Sequence, residues 1–410
     1  MKEILKDPVL FFMALSMVIA CTSLGNATIT ALVYIATSVA IFLKDGVNPF
    51  RRRSLSLYMG FVLIVLIYSA FGKGTLSSST FNMRFFAFIN MFSVFMMSYH
   101  VKTLNAKQIK GLMSVAFISL LFSIIGTTAV SYIDPMAVRI YGFGDVEDAD
   151  LSMASRYYSM GMMGYGLAHG MSVVTVALSV LILHAKSKWL KIVSAIMLLL
   201  LIRLLFVMTI TTALLFAVIG VAVVFANYIS KGRTFVTIAL TVLIVAVFFV
   251  SGFSAMFLDF AGGINSDITA KLGDAFSYVQ SGSGDGQTGY RKDLYMASFR
   301  TFISNPILGL GSDDGSRVYI GEHSYLLDYL AYFGLFAILV FLSWWKEYNS
   351  LKPRLSKAIT RYYYYAFIPV AGLFTLKAGS VCGSLPFMSL VFSQIVFLYI
   401  ENQVETNRNV

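Results

Sequence analysis

The chain has 410 residues, 58% of them hydrophobic and only 12% charged, with a mean hydropathy of +0.78. A soluble domain carries about 25% charged residues, so this deficit excludes a soluble multidomain protein and indicates one embedded in a membrane. The net charge of +11 does not call for a nucleic-acid partner, because the basic residues gather on one predicted side of the membrane.

A spanning helix needs about 20 mostly apolar residues. In chain order such runs lie near 8–24, 26–43, 54–72, 81–100, 109–130, 159–184, 189–205, 208–229, 234–256, 323–345, 361–379 and 382–400. They predict an all-α polytopic membrane protein of about twelve transmembrane helices. "VIAC", ending at Cys21, has a faint likeness to a lipoprotein cleavage site. Glu3 and Asp7 dilute the basic leader such a signal needs, so the first run reads as a retained helix. The run from Trp189 to Tyr228 is long enough for two spans and divides near "FVMTITT".

Charge placement tests this count. With the N-terminus inside, the inner loops read "KDGVNPFRRR", "VKTLNAKQIK", "HAKSKWLK", "SKGR" and "KEYNSLKPRLSKAITR". Together with the two tails they hold 20 of the 31 Lys and Arg residues. The positive-inside rule expects this pattern from a correct topology, and removing one helix would scramble it. Both termini are therefore expected in the cytoplasm.

Three regions follow. Residues 1–256 carry nine predicted spans and an acidic outer loop at 131–158. Residues 257–322 form one large extracytoplasmic loop, and 323–410 carry three further spans and a tail. Loops this long are usually functional or disordered. Within the large loop, "YRKDLYMASFRTFISN" has Tyr295, Phe299 and Phe302 at helical spacing. It reads as a short amphipathic helix lying along the outer membrane surface. Arg291 shares a face with Tyr295, Ser298 and Phe302, whereas Arg300 points the opposite way.

The candidate chemistry collects on the outer side. His323, one of four histidines, stands where the large loop meets the next span. A neutral imidazole there suits a general base, and it equally suits a capping or interfacial residue. Arg84 and Arg203 fall within spans, where arginines usually face a cavity. Arg156 and Lys377 lie near outer ends, and Asp328 lies about a turn and a half beyond His323 on nearly the same face. Glu322 precedes the histidine. Guanidinium forks suit phosphate and pyrophosphate oxygens. Asp148 to Asp150, "DAD", has the short Asp-x-Asp form that can hold a divalent ion. Neither Cys21 nor Cys382 has metal-ligand spacing. The expectation is a site that uses no metal and no other cofactor.

The segment "GYRKDLYMASFRTFISNPILGLGSDDGS", continued by "GEHSYLLDYLAYFGLF", resembles the O-antigen polymerase and ligase family of bacterial polysaccharide-assembly enzymes. That family shows an arginine opening a surface helix, an "NP-(I/L)-x-G-x-G" stretch, and a histidine at the start of the next span, often followed by asparagine. Here these are Arg291, Asn305 to Gly311, and His323, with Ser324 in place of the asparagine. The match covers roughly 50 residues; beyond it only the layout agrees. A second family arginine, expected at the turn within "MTITTALL", is replaced by Thr212, and Arg203, Arg84 or Arg156 is left to supply its charge.

The resemblance implies an enzyme of the bacterial inner membrane with an extracytoplasmic active site. Its donor would be a glycan on undecaprenyl pyrophosphate, transferred to an acceptor glycan with inversion. Arg291 and His323 would be catalytic, and Arg84, Arg156 and Arg203 would bind pyrophosphate. Glu322, Asp328 and Lys377 would be accessory. Membrane lipid and a chain-length regulator are the other implied partners. The acceptor separates two readings: another lipid-linked repeat unit for a polymerase, which the weak match at "MTITT" fits better, or a lipid A–core sugar or a protein for a ligase. A third reading is a twelve-helix transporter or flippase. It expects polar residues near the midplane of two corresponding halves, a pattern that this sequence does not show.

Overall fold

The computed structural model describes residues 2–22, 24, 27–71, 78–134, 137–138, 151–208, 210–249, 270, 273–274, 287–310, 318–377 and 384–408. Among these the chain is almost wholly helical, with no strand. In chain order the helices are α1 (Lys2–Lys6), α2 (Pro8–Thr22), α3 (Ala27–Asp45), α4 (Arg53–Phe71), α5 (Ser78–Val101), α6 (Ala106–Ile133) and α7 (Leu151–Ser159). There follow α8 (Tyr165–His184), α9 (Lys188–Val207), α10 (Thr211–Ile229), α11 (Thr234–Phe249), α12 (Gln287–Ser304), α13 (Tyr325–Phe333) and α14 (Ile338–Asn349). The last are α15 (Lys357–Leu376), α16 (Ser384–Phe387) and α17 (Ser393–Arg408).

A helix lies on each apolar run read from the sequence. Among the described residues seven stretches are long and apolar enough to cross a membrane: Thr28–Asp45, Ala106–Ile133, Gly166–His184, Lys188–Val207, Thr211–Ile229, Tyr325–Arg354 and Leu385–Val404. Pro8–Thr22, Arg53–Tyr68 and Ala87–Val101 are shorter apolar helices. Outward-facing side chains such as Leu63, Leu199 and Phe235 are exposed. A soluble protein rarely leaves so much apolar surface open, and a bilayer covers it. The core centres on α8, whose Val173, Val174, Val176, Ala177 and Leu178 are fully buried among α9, α10, α15 and α16.

The basic loops meet at one end of the bundle. Lys44 pairs with Asp7 at 2.5 Å, and Asp45 with His100 at 2.8 Å. Lys102 pairs with Glu347, whose carboxylate also accepts from Ser54 at 2.5 Å and Ser98 at 2.7 Å. Arg354 donates to the carbonyl of Lys102, and Arg361 to that of Gly232. Glu401 accepts from the hydroxyl of Ser356 at 2.9 Å, while Gln403 accepts from the amide of Lys186 at 3.0 Å. All five basic loops and both terminal segments are thus laced together.

Three features depart from the sequence reading. The division near "FVMTITT" falls between Val207 and Thr211, but the run expected at 159–184 begins only at Tyr165. A separate helix, α7, precedes it inside the acidic loop, and the chain turns at Gly161 with φ +87°. The span expected at 323–345 is broken at Gly334, which takes φ +56°. One 3₁₀ turn, Gly334–Ala337, then leads into α14.

Candidate functional site

The site is built at the start of α13, the short helix that ends at that break. Helix α13 starts at Ser324, whose hydroxyl accepts from the amide of Leu327 at 3.2 Å. Ser324 therefore performs an N-cap role that Ser and Asn fill about equally well. The amides of Ser324, Tyr325, Leu327 and Asp328 all donate within the protein. Most of this helix start is thus satisfied internally, and the positive charge near His323 is that of the Lys377 and Arg291 side chains.

The "NPILGL" stretch docks against the broken end. Leu310 donates its amide to Ala331 O at 2.9 Å, and Leu335 donates to Pro306 O at 2.9 Å. Loop backbone thus satisfies groups that the interruption of the helical ladder leaves open. A Cβ on Gly309 would lie 2.5 Å from the backbone of Tyr332, and one on Gly334 would lie 2.4 Å from Ile307 O. Only glycine fits two such positive-φ positions at this approach.

Helix α12 lies against α13. Its inner face is Leu294, Ser298 and Thr301, all buried, with Arg291, Tyr295 and Phe302 half-buried beside them. Arg300 is exposed, so the predicted division of the two arginines between faces is observed. Beside the inner face runs an exposed apolar stripe, Met296, Phe299 and Ile303. The inner face binds protein through polar contacts. Ser298 donates to Asp328 Oδ1 at 2.6 Å, Thr301 donates to the carbonyl of Tyr319, and Tyr295 donates to Leu376 O at 3.1 Å.

These contacts gather most of the predicted residues. His323 is half-buried, with Nδ1 3.2 Å from the carbonyl of Gly321. Burial holds its pKa below the ordinary value, and the nearby charges of Lys377 and Arg291 push the same way. The imidazole is therefore neutral at pH 7. Lys377 ends α15 and offers its carbonyl to the Tyr325 amide at 3.4 Å. Glu322 sits at φ +55°, an uncommon conformation for a residue with a Cβ, and its carboxylate accepts from Tyr332 at 3.3 Å. Asp328 is buried and holds Ser298 and the Ser324 amide.

The other arginines lie elsewhere. Arg203 donates to Ser131 Oγ at 3.2 Å and stands 4.5 Å over the ring of Tyr132, pinned to the end of α6. Arg156 is exposed on α7, where Tyr157 donates to Asp134 at 3.3 Å. Arg84 is on α5, but its side chain lies outside the described residues, as do Asp148 to Asp150 and Cys382. Thr212 falls in the first turn of α10. Among the described residues no three His, Cys, Asp or Glu side chains converge as a metal site.

The linking residue that sequence reasoning undervalued is Ser298. In the sequence it is only one member of a helix face; its value comes from Asp328, thirty residues away. Compared with known proteins, the chain matches no family model and no curated protein.

Proposed function

We propose that this protein is a bacterial inner-membrane glycosyltransferase with twelve spans, cytoplasmic termini and an extracytoplasmic site. It would polymerise oligosaccharide repeat units carried on undecaprenyl pyrophosphate. The observation that supports this reading is that Arg291 and Lys377 stand near enough to His323, at the start of α13, for their charges to favour its neutral form, away from the laced basic loops.

In this reading the acceptor hydroxyl attacks the anomeric carbon from the face opposite the pyrophosphate. Its proton passes to His323, the new C–O bond forms, and the old C–O bond breaks with its electron pair remaining on the pyrophosphate. Arg291 and Lys377 stabilise that developing charge from a partly desolvated position, the kind of contribution that is usually the largest in such sites. In the same reading Arg203, Arg156 and Arg84 are the arginines left to bind the remaining phosphate. These cations take the electrostatic role that a divalent ion has in other lipid-linked transfers, so the reaction is read as metal-independent.

The test is a reconstitution of purified protein with a defined lipid-linked repeat unit. A product ladder formed without added nucleotide or metal supports polymerisation. Transfer only after lipid A–core is supplied supports the ligase reading. Wild-type turnover in both His323→Ala and Arg291→Ala overturns the site assignment.

A further inference from the structure

The contacts that hold His323 form a closed path. Its Nδ1 faces the Gly321 carbonyl at 3.2 Å. A carbonyl only accepts, so Nδ1 carries the proton and the lone pair of the neutral ring lies on Nε2. The amide of Gly321 donates to Ser298 Oγ at 2.9 Å, and that hydroxyl donates to Asp328 Oδ1 at 2.6 Å. The other carboxylate oxygen accepts from the Ser324 amide at 3.1 Å. Residues on both sides of His323 therefore hang from one serine–aspartate pair.

The pair has little freedom to move. Ser298 is 0% exposed and Asp328 4% exposed. Gly321 presses on α12 so closely that a Cβ would fall 2.2 Å from Leu294 O. Between these anchors the backbone takes the positive φ of Glu322. A four-residue hoop fixed at both ends leaves the ring little choice of orientation.

We infer that Ser298 and Asp328 are positioning residues for His323, fixing the hoop 321–324 so that Nδ1 donates to Gly321 and Nε2 is the atom that takes a proton. Neither side chain need touch substrate. Ser298 belongs to α12, which also carries Arg291, so one hydroxyl sets the cation and the base in register. The catalytic consequence rests on the proposed transfer reaction; the tautomer assignment does not.

The experiment is ¹⁵N NMR of the full-length protein in detergent with labelled histidine, His323 being assigned by its loss in His323→Gln. The wild type is expected to give one Nδ1–H tautomer. Ser298→Ala, and the near-isosteric Asp328→Asn should Ser298→Ala misfold, are expected to give a tautomer mixture. Ser298→Thr, which keeps the hydroxyl, is expected to restore the single form. In the transfer assay Ser298→Ala should lower kcat roughly tenfold or more, part of the roughly 10²–10⁴ a positioned base supplies, with KM nearly unchanged. An unaltered Nδ1–H tautomer in both Ser298→Ala and Asp328→Asn overturns the inference. A tautomer change in a protein that shows no transfer supports positioning and counts against the enzymatic reading alone.

Discussion

The amide of Leu335 donates to the carbonyl of Pro306 at 2.9 Å, so an outer loop supplies the acceptor that a broken helix lacks. The same break draws Gly309 and Gly334 into backbone contact with the opposing segment. A flexible join between loop and helix would leave Arg291 and His323 free to drift apart; this one is stitched on both sides.

Gly334→Ala should therefore be costly. It adds a Cβ 2.4 Å from Ile307 O at φ +56°, and strained positions of this kind cost about 1–3 kcal/mol before any clash is counted. Gly60→Ala is the control, because a Cβ there meets nothing within 4 Å and alanine is favoured in helices by about 1 kcal/mol. Thermal unfolding in detergent should show a lower midpoint for the first and an equal or higher one for the second.

Glu347 is expected to be the most sensitive charge in the bundle. Its side chain and that of Lys102 are 2% and 6% exposed, and removing one partner of such a pair costs about 3–5 kcal/mol. Glu347→Ala should unfold well below the wild type. Lys102→Met combined with Glu347→Gln should recover much of the loss, because no buried charge is then left alone. An equal loss in the single and double variants would contradict the pairing.

The pH profile reports on His323. Its folded pKa is depressed, by burial first and then by Lys377 and Arg291. The neutral, proton-accepting form is thus already present at pH 7, and transfer should rise through a midpoint below the ordinary 6.5. Lys377→Gln should move that midpoint upward. In stability the sign is opposite to that of a salt-bridged histidine: the unfolded chain takes up the proton first, so stability is complete above the unfolded pKa and falls as pH drops below it.

Arg203 invites a graded test. Its fork reaches Ser131 while its plane covers Tyr132, and lysine cannot do both. Arg203→Lys should lower the unfolding midpoint slightly, since an exposed cation–π contact is worth about 0.5–1 kcal/mol. If it holds the donor's second phosphate, KM for the donor rises several-fold while kcat holds. Arg291→Ala should instead reduce kcat by about 10²-fold or more, as loss of a group aimed at transition-state charge does.

Much of the bundle could be read in advance because two independent signals agree. Apolar runs mark the helices, and every second loop between the predicted spans is basic; the lacing of Lys44, His100, Lys102, Arg354 and Arg361 places the basic loops at one end. The break at Gly334 was not legible, since "YLAYFGLFAILV" is equally apolar on both sides of it. Helix α7 escaped because nine residues after an acidic stretch give no sustained periodicity. At the site, the order of Arg291 and His323 was readable. The grip on His323 was not, because Ser298 and Asp328 are distant in the chain. Ser324 followed by Asp328 was the available clue, since a serine before an apolar run with a carboxylate in the first turns resembles a helix-start signature.

The exposed stripe of Met296, Phe299 and Ile303 on α12 acquires a further meaning once the other face is fastened. A helix floating on a bilayer can rise, sink or tilt with the lipids. This one is bolted to α13 through Ser298 and Asp328 and to α15 through Tyr295. If this end of the bundle meets the outer leaflet, as proposed, the stripe would act as a depth gauge for Arg291 and His323. For the proposed transfer, leaflet thickness would then be a variable: a headgroup carried at another level would meet these groups at the wrong altitude.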